Sequence, residues 1–328
     1  MTIIKFEPIY KERPWGGTVL KKRFNRKIHL ESDKIGESWE IVDRPEAQSI
    51  ISNTLNKGMS LRRLITEQSG SIMGPTWKKE SRFPVLVKWL DCSERLSLQV
   101  HPPLYIADEF GGEPKTENWY VAGASDKAGL FIGLKTNTNK NLFKTALASN
   151  EAESLCHRME SKVGDSILVE SGRIHAIDSG NLILEIQQNS DTTYRVYDWG
   201  RLGVDNKPRQ LHIEESLRCI DFKDIEPTLL KTQKSVGQSI IAKCDFFKIR
   251  KFNSKAGEKV LVKESSVDCS IIHLISGSIS VGEELIAVGE QVISPFFSDC
   301  TIDILEDSTF LITDKFINDQ NLTKIVSN

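Results

Sequence analysis

Cysteine is sparse and dispersed in this chain of 328 residues: Cys92, Cys156, Cys219, Cys244, Cys269 and Cys300 form no Cys-x-x-Cys pair. That spacing argues against a disulfide framework and against a cysteine zinc site, and leaves reduced thiols in or near the core. No apolar run approaches the ~18 residues that a membrane span needs. The opening Met-Thr-Ile-Ile-Lys-Phe-Glu-Pro lacks the apolar region of a signal peptide, so the expected location is the cytoplasm, with no membrane partner. Charge of one sign is lacking too. With 43 Lys+Arg against 45 Asp+Glu the net charge is −2, and the pI is about 6.4. No electrostatic footprint for nucleic acid is present. Histidine is scarce at six residues, some of which will fall near a carboxylate by chance.

What is present is an ordinary globular balance, 39% hydrophobic and 27% charged, over a length that predicts two lobes at ~150 residues each. Residues 1–56 alternate polar and apolar with turn residues between, as in Ser38-Trp39-Glu40-Ile41-Val42, the pattern of short antiparallel strands. Leu61, Leu64 and Ile65 then recur at helical spacing after Ser60, a candidate N-cap, which predicts a helix around 60–69. A second helical stretch is expected around 139–159, with Leu142, Phe143, Ala146 and Leu147 on its packed face. Strands are expected at Ser166–Val169, Leu182–Gln187 and Tyr194–Tyr197, and the pattern shifts near Phe222–Pro227. The domains expected are therefore 1–225 and 226–328. The second has turn glycines at Gly257, Gly277, Gly282 and Gly289 between β-branched runs, the rhythm of an antiparallel sandwich or barrel.

The chemistry concentrates in the first domain. Gln99 and His101 stand two apart in Leu-Ser-Leu-Gln-Val-His-Pro, so on a strand they face the same side. Glu117 follows sixteen residues after His101, and His175 closes Ser-Gly-Arg-Ile-His far downstream. A set of imidazoles, carboxylate and amide without cysteine suits a divalent ion such as zinc, with a coordination position open to substrate or water. A lone strand histidine is more often a hydrogen-bonded core residue than a ligand; the companions raise the case here. Gly164 and Gly172 bracket the strand before His175, at places where a turn and a kink are needed. Two histidine segments separated by one long excursion are the layout of a cupin. The expected architecture is mainly β: a cupin jelly-roll (double-stranded β-helix) barrel with a helical insertion, and a second, degenerate C-terminal cupin-like barrel. That second barrel has His273 without a partner carboxylate at ligand spacing, so His273 is read as structural.

At these motifs the chain resembles the type I mannose-6-phosphate isomerases (phosphomannose isomerases) of the short bacterial form. The likeness begins at Pro8-Ile-Tyr-Lys-Glu-Arg-Pro-Trp15-Gly-Gly, runs through Gly36-Glu-Ser-Trp39-Glu, Lys88 and Leu96 to Pro102, and is most diagnostic from Glu185 to Trp199. The resemblance implies that Gln99, His101, Glu117 and His175 bind one zinc ion per chain, and that Arg195 is catalytic. It places Lys88, Ser97, Lys115, Glu185, Asp191 and Arg201 around a sugar phosphate. Two departures stand out: Pro103-Leu104 replaces the family's acidic residue after His-Pro, and Glu170 stands where the cupin pattern prefers proline.

The implied reaction is aldose–ketose interconversion of mannose 6-phosphate and fructose 6-phosphate through a cis-enediol(ate), with Arg195, Lys115 and Glu185 as the catalytic set. Lys115, two residues before Glu117, faces the same side if extended. Trp15, Trp39 and Trp119 are open to two readings, wall of a sugar pocket or core. An iron-dependent cupin dioxygenase and a non-catalytic sugar-binding cupin are the alternatives. The expected partner is a small sugar phosphate, and the chain is read as a monomer or homodimer.

Overall fold

The computed structural model describes residues 3–28, 33–231, 236–262, 268–298 and 300–316. The fold is mainly β, with short helices between strands. The chain divides into two compact units that do not follow sequence order. One comprises Met1–Ile9, Trp39–Val87 and Thr232–Asn328, the other Tyr10–Ser38 and Lys88–Lys231. This differs from a division at residue 225, because the early strand Ile4–Glu7 pairs with both Gln291–Ser294 and Ile50–Ile51. Pairing partners nearly 290 residues apart leave no local signal.

The unit built on Lys88–Lys231 contains a five-stranded sheet, in the order Cys156–Glu160, Gly129–Leu134, His175–Ile177, Leu98–Val100, Tyr194–Tyr197. A six-stranded sheet begins Ser166–Val169, Glu117–Ala124, Asn181–Gln188 and continues through Val85–Cys92, Ile35–Ile41 and Ile9–Gly17. Leu130, Ile132 and Ile177 of the first sheet pack with Trp119, Val121, Ile167, Val169 and Ile183 of the second in one buried cluster. Alternation along each strand sends these side chains inward.

The other unit repeats the plan. Lys248–Ser254, Ser308–Asp314, Ser270–Ser276 and Gln291–Ser294 lie side by side in a seven-stranded sheet, and Lys259–Leu261, Thr301–Ile304, Ile279–Val281 and Glu284–Ile286 form a four-stranded one. Ile272, Leu274, Val292, Phe310 and Ile312 pack there with Ile279, Ile302 and Ile304. Among the described residues no sheet closes on itself. The closed barrels expected from sequence are therefore not seen: the paired sheets meet through side chains rather than through a continuous ring of backbone hydrogen bonds.

The helix expected around 60–69 runs Leu61–Ile72, with the Ser60 hydroxyl accepting from the Arg63 amide at 3.2 Å. Leu61, Leu64 and Ile65 are fully buried. The 139–159 stretch is helical only over Lys140–Ala148, capped by Asn139, and in the short turn Ala152–Leu155; Cys156–Glu160 is a strand. Phe143 and Ala146 are buried, whereas Leu142 is 45% exposed. At 100° per residue Leu142 falls at the edge of the 143, 146, 147 stripe, outside Ala146. None of the six cysteines is in a disulfide. No helix among the described residues is long and apolar enough to cross a membrane.

Candidate active site

The strand Leu98–Val100 runs between His175–Ile177 and Tyr194–Tyr197, in registers that set Gln99 opposite His175 on one side and opposite Arg195 on the other. Directly paired residues share a face of the sheet, so these three form a row across it. Glu117 opens its strand in the facing sheet, paired with Val169 and Gln187. The Gly172 amide donates to the His101 carbonyl at 2.9 Å, which ties the two histidine segments together. Gly172 has φ 92°, and a Cβ there would stand 3.2 Å from the Cys219 carbonyl and 3.3 Å from Pro103. The kink needs glycine for its backbone and for its space. Pro103, one of the two departures from the family pattern, precedes the helical turn Leu104–Ala107.

His101, Glu117 and His175 are fully buried and converge. His101 Nε2 is 3.3 Å from Glu117 Oε2, and His175 Nε2 is 3.5 Å from Glu117 Oε1. One ligand atom from each lies within 4.8 Å of the others. His101 Nδ1 sits 2.9 Å from the Thr192 carbonyl, and His175 Nδ1 is 2.8 Å from that of Arg173. Only a protonated nitrogen can bond a carbonyl, so each Nδ1 donates and each Nε2 turns a lone pair toward the carboxylate. Burial and the Lys115 charge push His101 down to about 3, and burial pushes His175 down to about 4, so both rings are neutral.

Lone pairs facing a carboxylate repel unless a cation stands among them. Among the described residues Glu117 Oε1 and His175 Nε2 lack a hydrogen-bond partner. Lys115 supplies one positive charge, with Nζ 2.9 Å from Glu117 Oε2 and 3.2 Å from His101 Nε2. Burial alone would raise the Glu117 carboxyl, yet the Lys115 charge holds it well below the usual range. Burial opposes the Lys115 charge, and Glu117 and Glu185 outweigh it, lifting that ammonium above its ordinary value. Orphaned acceptor atoms in a dry, cysteine-free nitrogen and oxygen set fit a divalent metal ion.

Beside this cluster lies a cavity of about 270 Å³ whose lining includes Gln99 and Lys115. Of the residues expected around substrate, Trp15, Lys88, Ser97, Glu185, Asp191 and Arg195 also line it. Lys88 Nζ is 3.6 Å from Glu185 Oε1 and 3.8 Å from Asp191 Oδ1. Glu185 Oε2 accepts from the Trp119 indole at 3.0 Å; burial and the neighbouring Glu117 charge raise its pKa. Trp119 is fully buried, its ring edge-on to His175 at 5.2 Å, and Trp39 belongs to a separate core cluster; neither lines the cavity.

Arg201 is not among the lining residues. Its Nε donates to Asp198 Oδ1 at 3.0 Å and its Nη1 to the Arg95 carbonyl. Arg13, Glu37, Thr193, Arg209 and His212 line the cavity without having been expected there. Arg13 stands in the Arg-Pro-Trp15 motif and makes a two-pronged pair with Glu37, at 2.9 and 3.1 Å, so that motif held a usable signal. Nothing in the local sequence marks Arg209. Lining cations (Arg13, Lys88, Lys115, Arg195, Arg209) outnumber lining carboxylates (Glu37, Glu185, Asp191), which suits an anionic ligand.

Comparison with known proteins bears on this geometry. The family profile "Phosphomannose isomerase type I, catalytic domain" matches residues 3–145. The mannose-6-phosphate isomerase ManA of Bacillus subtilis is 34% identical over 281 residues, covering 83% of this chain and 87% of that one. A mannose-6-phosphate isomerase of Streptococcus mutans is 34% identical over 289 residues, covering 86% and 88%. The crystal structure of the mannose 6-phosphate isomerase from Bacillus subtilis superposes with a TM-score of 0.85 at 30% identity, covering 96% of this chain and all of that one (100%).

Proposed function

This chain belongs to the type I phosphomannose isomerases and is an aldose–ketose isomerase, and on that premise we propose that it interconverts mannose 6-phosphate and fructose 6-phosphate, with one zinc ion per chain, through a cis-enediol(ate). The observation that carries the finer reading is the buried His101, Glu117 and His175 cluster, with its orphaned acceptors, beside a cation-rich cavity. Gln99, His101, Glu117 and His175 would hold the ion, Gln99 from its place in the row with His175. Bound zinc supplies a redox-inert Lewis acid and a template for adjacent sugar oxygens.

The remaining chemistry falls to the side chains of the cavity. Going from aldose to ketose, a proton leaves C2 and one arrives at C1, while O2 loses a hydroxyl proton and O1 gains one. Glu185 is our candidate to carry the carbon-bound proton, because burial and Glu117 keep it more basic than an ordinary carboxylate. Trp119 fixes one of its oxygens, which orients the other. Lys115, held charged, serves as a hydrogen-bond donor to a sugar oxygen. Arg195 places a guanidinium at the cavity wall, its buried Nε without a hydrogen-bond partner among the described residues, where it would stabilise enediolate charge or orient the substrate. Lys88, Ser97, Asp191 and Trp15 complete the substrate surface in this reading. We assign the catalytic role to the unit Tyr10–Ser38 with Lys88–Lys231, to which all these residues belong, and read its paired sheets as walls of a cupin-type jelly roll. Family membership and the cationic lining weigh against both an iron dioxygenase and a purely sugar-binding role.

The test is interconversion of the two sugar phosphates by metal-analysed protein, with and without chelator and with zinc added back. Chelator-sensitive turnover restored by zinc is the expected result. Turnover that survives complete metal stripping overturns the metal reading, and no turnover by folded, zinc-loaded protein overturns the substrate.

A further inference from the structure

We infer that Arg209, held in place by Asp198, is a phosphate-binding cation of the cavity and a determinant of selectivity for phosphorylated over free sugars. The inference rests on the isomerase reading and deepens it. Asp198, its side chain 7% exposed, lies between two guanidinium groups. Arg201 takes Oδ1 with Nε and spends Nη1 on the Arg95 carbonyl, and it contributes nothing to the cavity wall. Arg209 donates to the same carboxylate from Nε, at 2.7 Å to Oδ2, and from Nη2 to Oδ1. Its Nη1 makes no hydrogen bond among the described residues, and its side chain lines the cavity. Arg201 is thus a brace on Asp198, and Arg209 is the arginine presented to a ligand.

The chain around Arg209 is locked to Arg195. The Arg195 amide donates to His212 Nδ1 at 3.2 Å, the His212 amide donates back to the Arg195 carbonyl at 2.8 Å, and Arg195 Nη1 donates to the Gln210 carbonyl at 2.8 Å. Because His212 Nδ1 accepts, its proton resides on Nε2, and the ring is a neutral donor. The cavity wall therefore gathers Arg195, Arg209 and an imidazole N–H, and the buried Nε of Arg195 has no hydrogen-bond partner among the described residues. A single carboxylate between two guanidiniums leaves positive charge in excess. That excess is felt at Arg195, whose pKa is lowered first by burial and then by Arg209. A phosphate dianion answers it with oxygens suited to planar guanidinium donors, whereas a neutral hydroxyl does not.

The experiment measures KM and kcat for the sugar phosphate, together with inhibition and calorimetric binding by inorganic phosphate, in the zinc-loaded enzyme. Arg209→Ala should raise KM and weaken inorganic phosphate binding in parallel, by about ten- to a hundredfold, with a much smaller change in kcat. Arg209→Lys, which keeps the charge and guards against a folding failure of the alanine variant, should fall between. Asp198→Asn should shift KM in the same direction through loss of positioning. Values of KM and phosphate affinity within about twofold of wild type in both Arg209 variants overturn the inference, as does a large loss in Arg201→Ala without one in Arg209→Ala. If the wild type binds inorganic phosphate but turns over no sugar phosphate, the reading of function fails by itself; weaker phosphate binding in Arg209→Ala then still upholds this site, and equal binding overturns it.

Discussion

Each of the two sheet sandwiches buries histidine completely, and the two treat it in opposite ways. In the C-terminal sandwich His273 Nδ1 bonds the Gln291 side-chain oxygen, His273 Nε2 lies 2.8 Å from the Thr313 hydroxyl, and the Gln291 amide donates onward to the Gly289 carbonyl at 3.0 Å. Every polar atom of that ring is answered by protein. In the other sandwich the two Nδ1 atoms are answered and His101 Nε2 has Lys115 Nζ at 3.2 Å, but among the described residues the His175 Nε2 lone pair, aimed at Glu117, has no hydrogen-bond partner. Burial depresses His273 to about 4, much as it depresses His175, so burial and basicity do not separate a binding site from a core residue. What separates them is whether the lone pairs are already satisfied.

The contrast is broken most directly by removing the carboxylate. Glu117→Gln should lower both bound metal and turnover by at least about a hundredfold, measured by elemental analysis beside the coupled assay. His273→Asn should leave both at wild-type levels; stoichiometric metal in Glu117→Gln would sink the ligand assignment. Arg195→Ala comes next, with kcat/KM lower by about a hundred- to a thousandfold at undiminished metal content. An unchanged kcat/KM removes Arg195 from the chemistry.

A pH series sharpens the C-terminal half of the comparison. His273 is neutral in the fold with a pKa of about 4, against about 6.5 in the unfolded chain, so the unfolded state takes up the proton first as pH falls. Its contribution is fully present above pH ~6.5 and is lost as pH drops toward about 4, to a total of about 3 kcal/mol. The stability advantage of wild type over His273→Asn, from denaturant midpoints, should shrink across that window; a pH-independent difference contradicts the buried neutral ring. The smallest effect concerns helix caps, where the two units should behave alike. Ser60→Ala and Asn139→Ala each remove a side chain that accepts a first-turn amide, and each should cost about 1 kcal/mol without touching activity.

Much of this was legible in the chain. The two-residue steps from Gln99 to His101 and from Lys115 to Glu117 mark these segments by strand spacing, although the strands are Leu98–Val100 and Glu117–Ala124 and leave His101 and Lys115 just outside; the glycines at 164 and 172 follow from turn chemistry, and both have positive φ. The register setting Gln99 opposite both His175 and Arg195 was not legible, because register is chosen by long-range packing. The exchange of Arg201 for Arg209 at the cavity wall has the same origin. Both are arginines near a motif, and only the placement of Asp198 decides which one it turns away. The discontinuous units escaped for a related reason: Ile4–Glu7 looks like any amphipathic strand, and nothing in its composition names Gln291–Ser294 as its partner.

That pairing also sets an order of events at the ribosome. At roughly 5–20 residues per second, a nascent chain spends about fifteen to sixty seconds between making Ile4–Glu7 and making Gln291–Ser294. During that interval most of the sandwich that carries the His101, Glu117 and His175 cluster, drawn largely from Lys88–Lys231, is already complete in sequence, while the first strand of the other unit waits with that sheet edge unpaired. Vectorial synthesis thus favours the site before its companion, and it makes the N-terminal strand a segment for a chaperone to shield until the last sheet arrives.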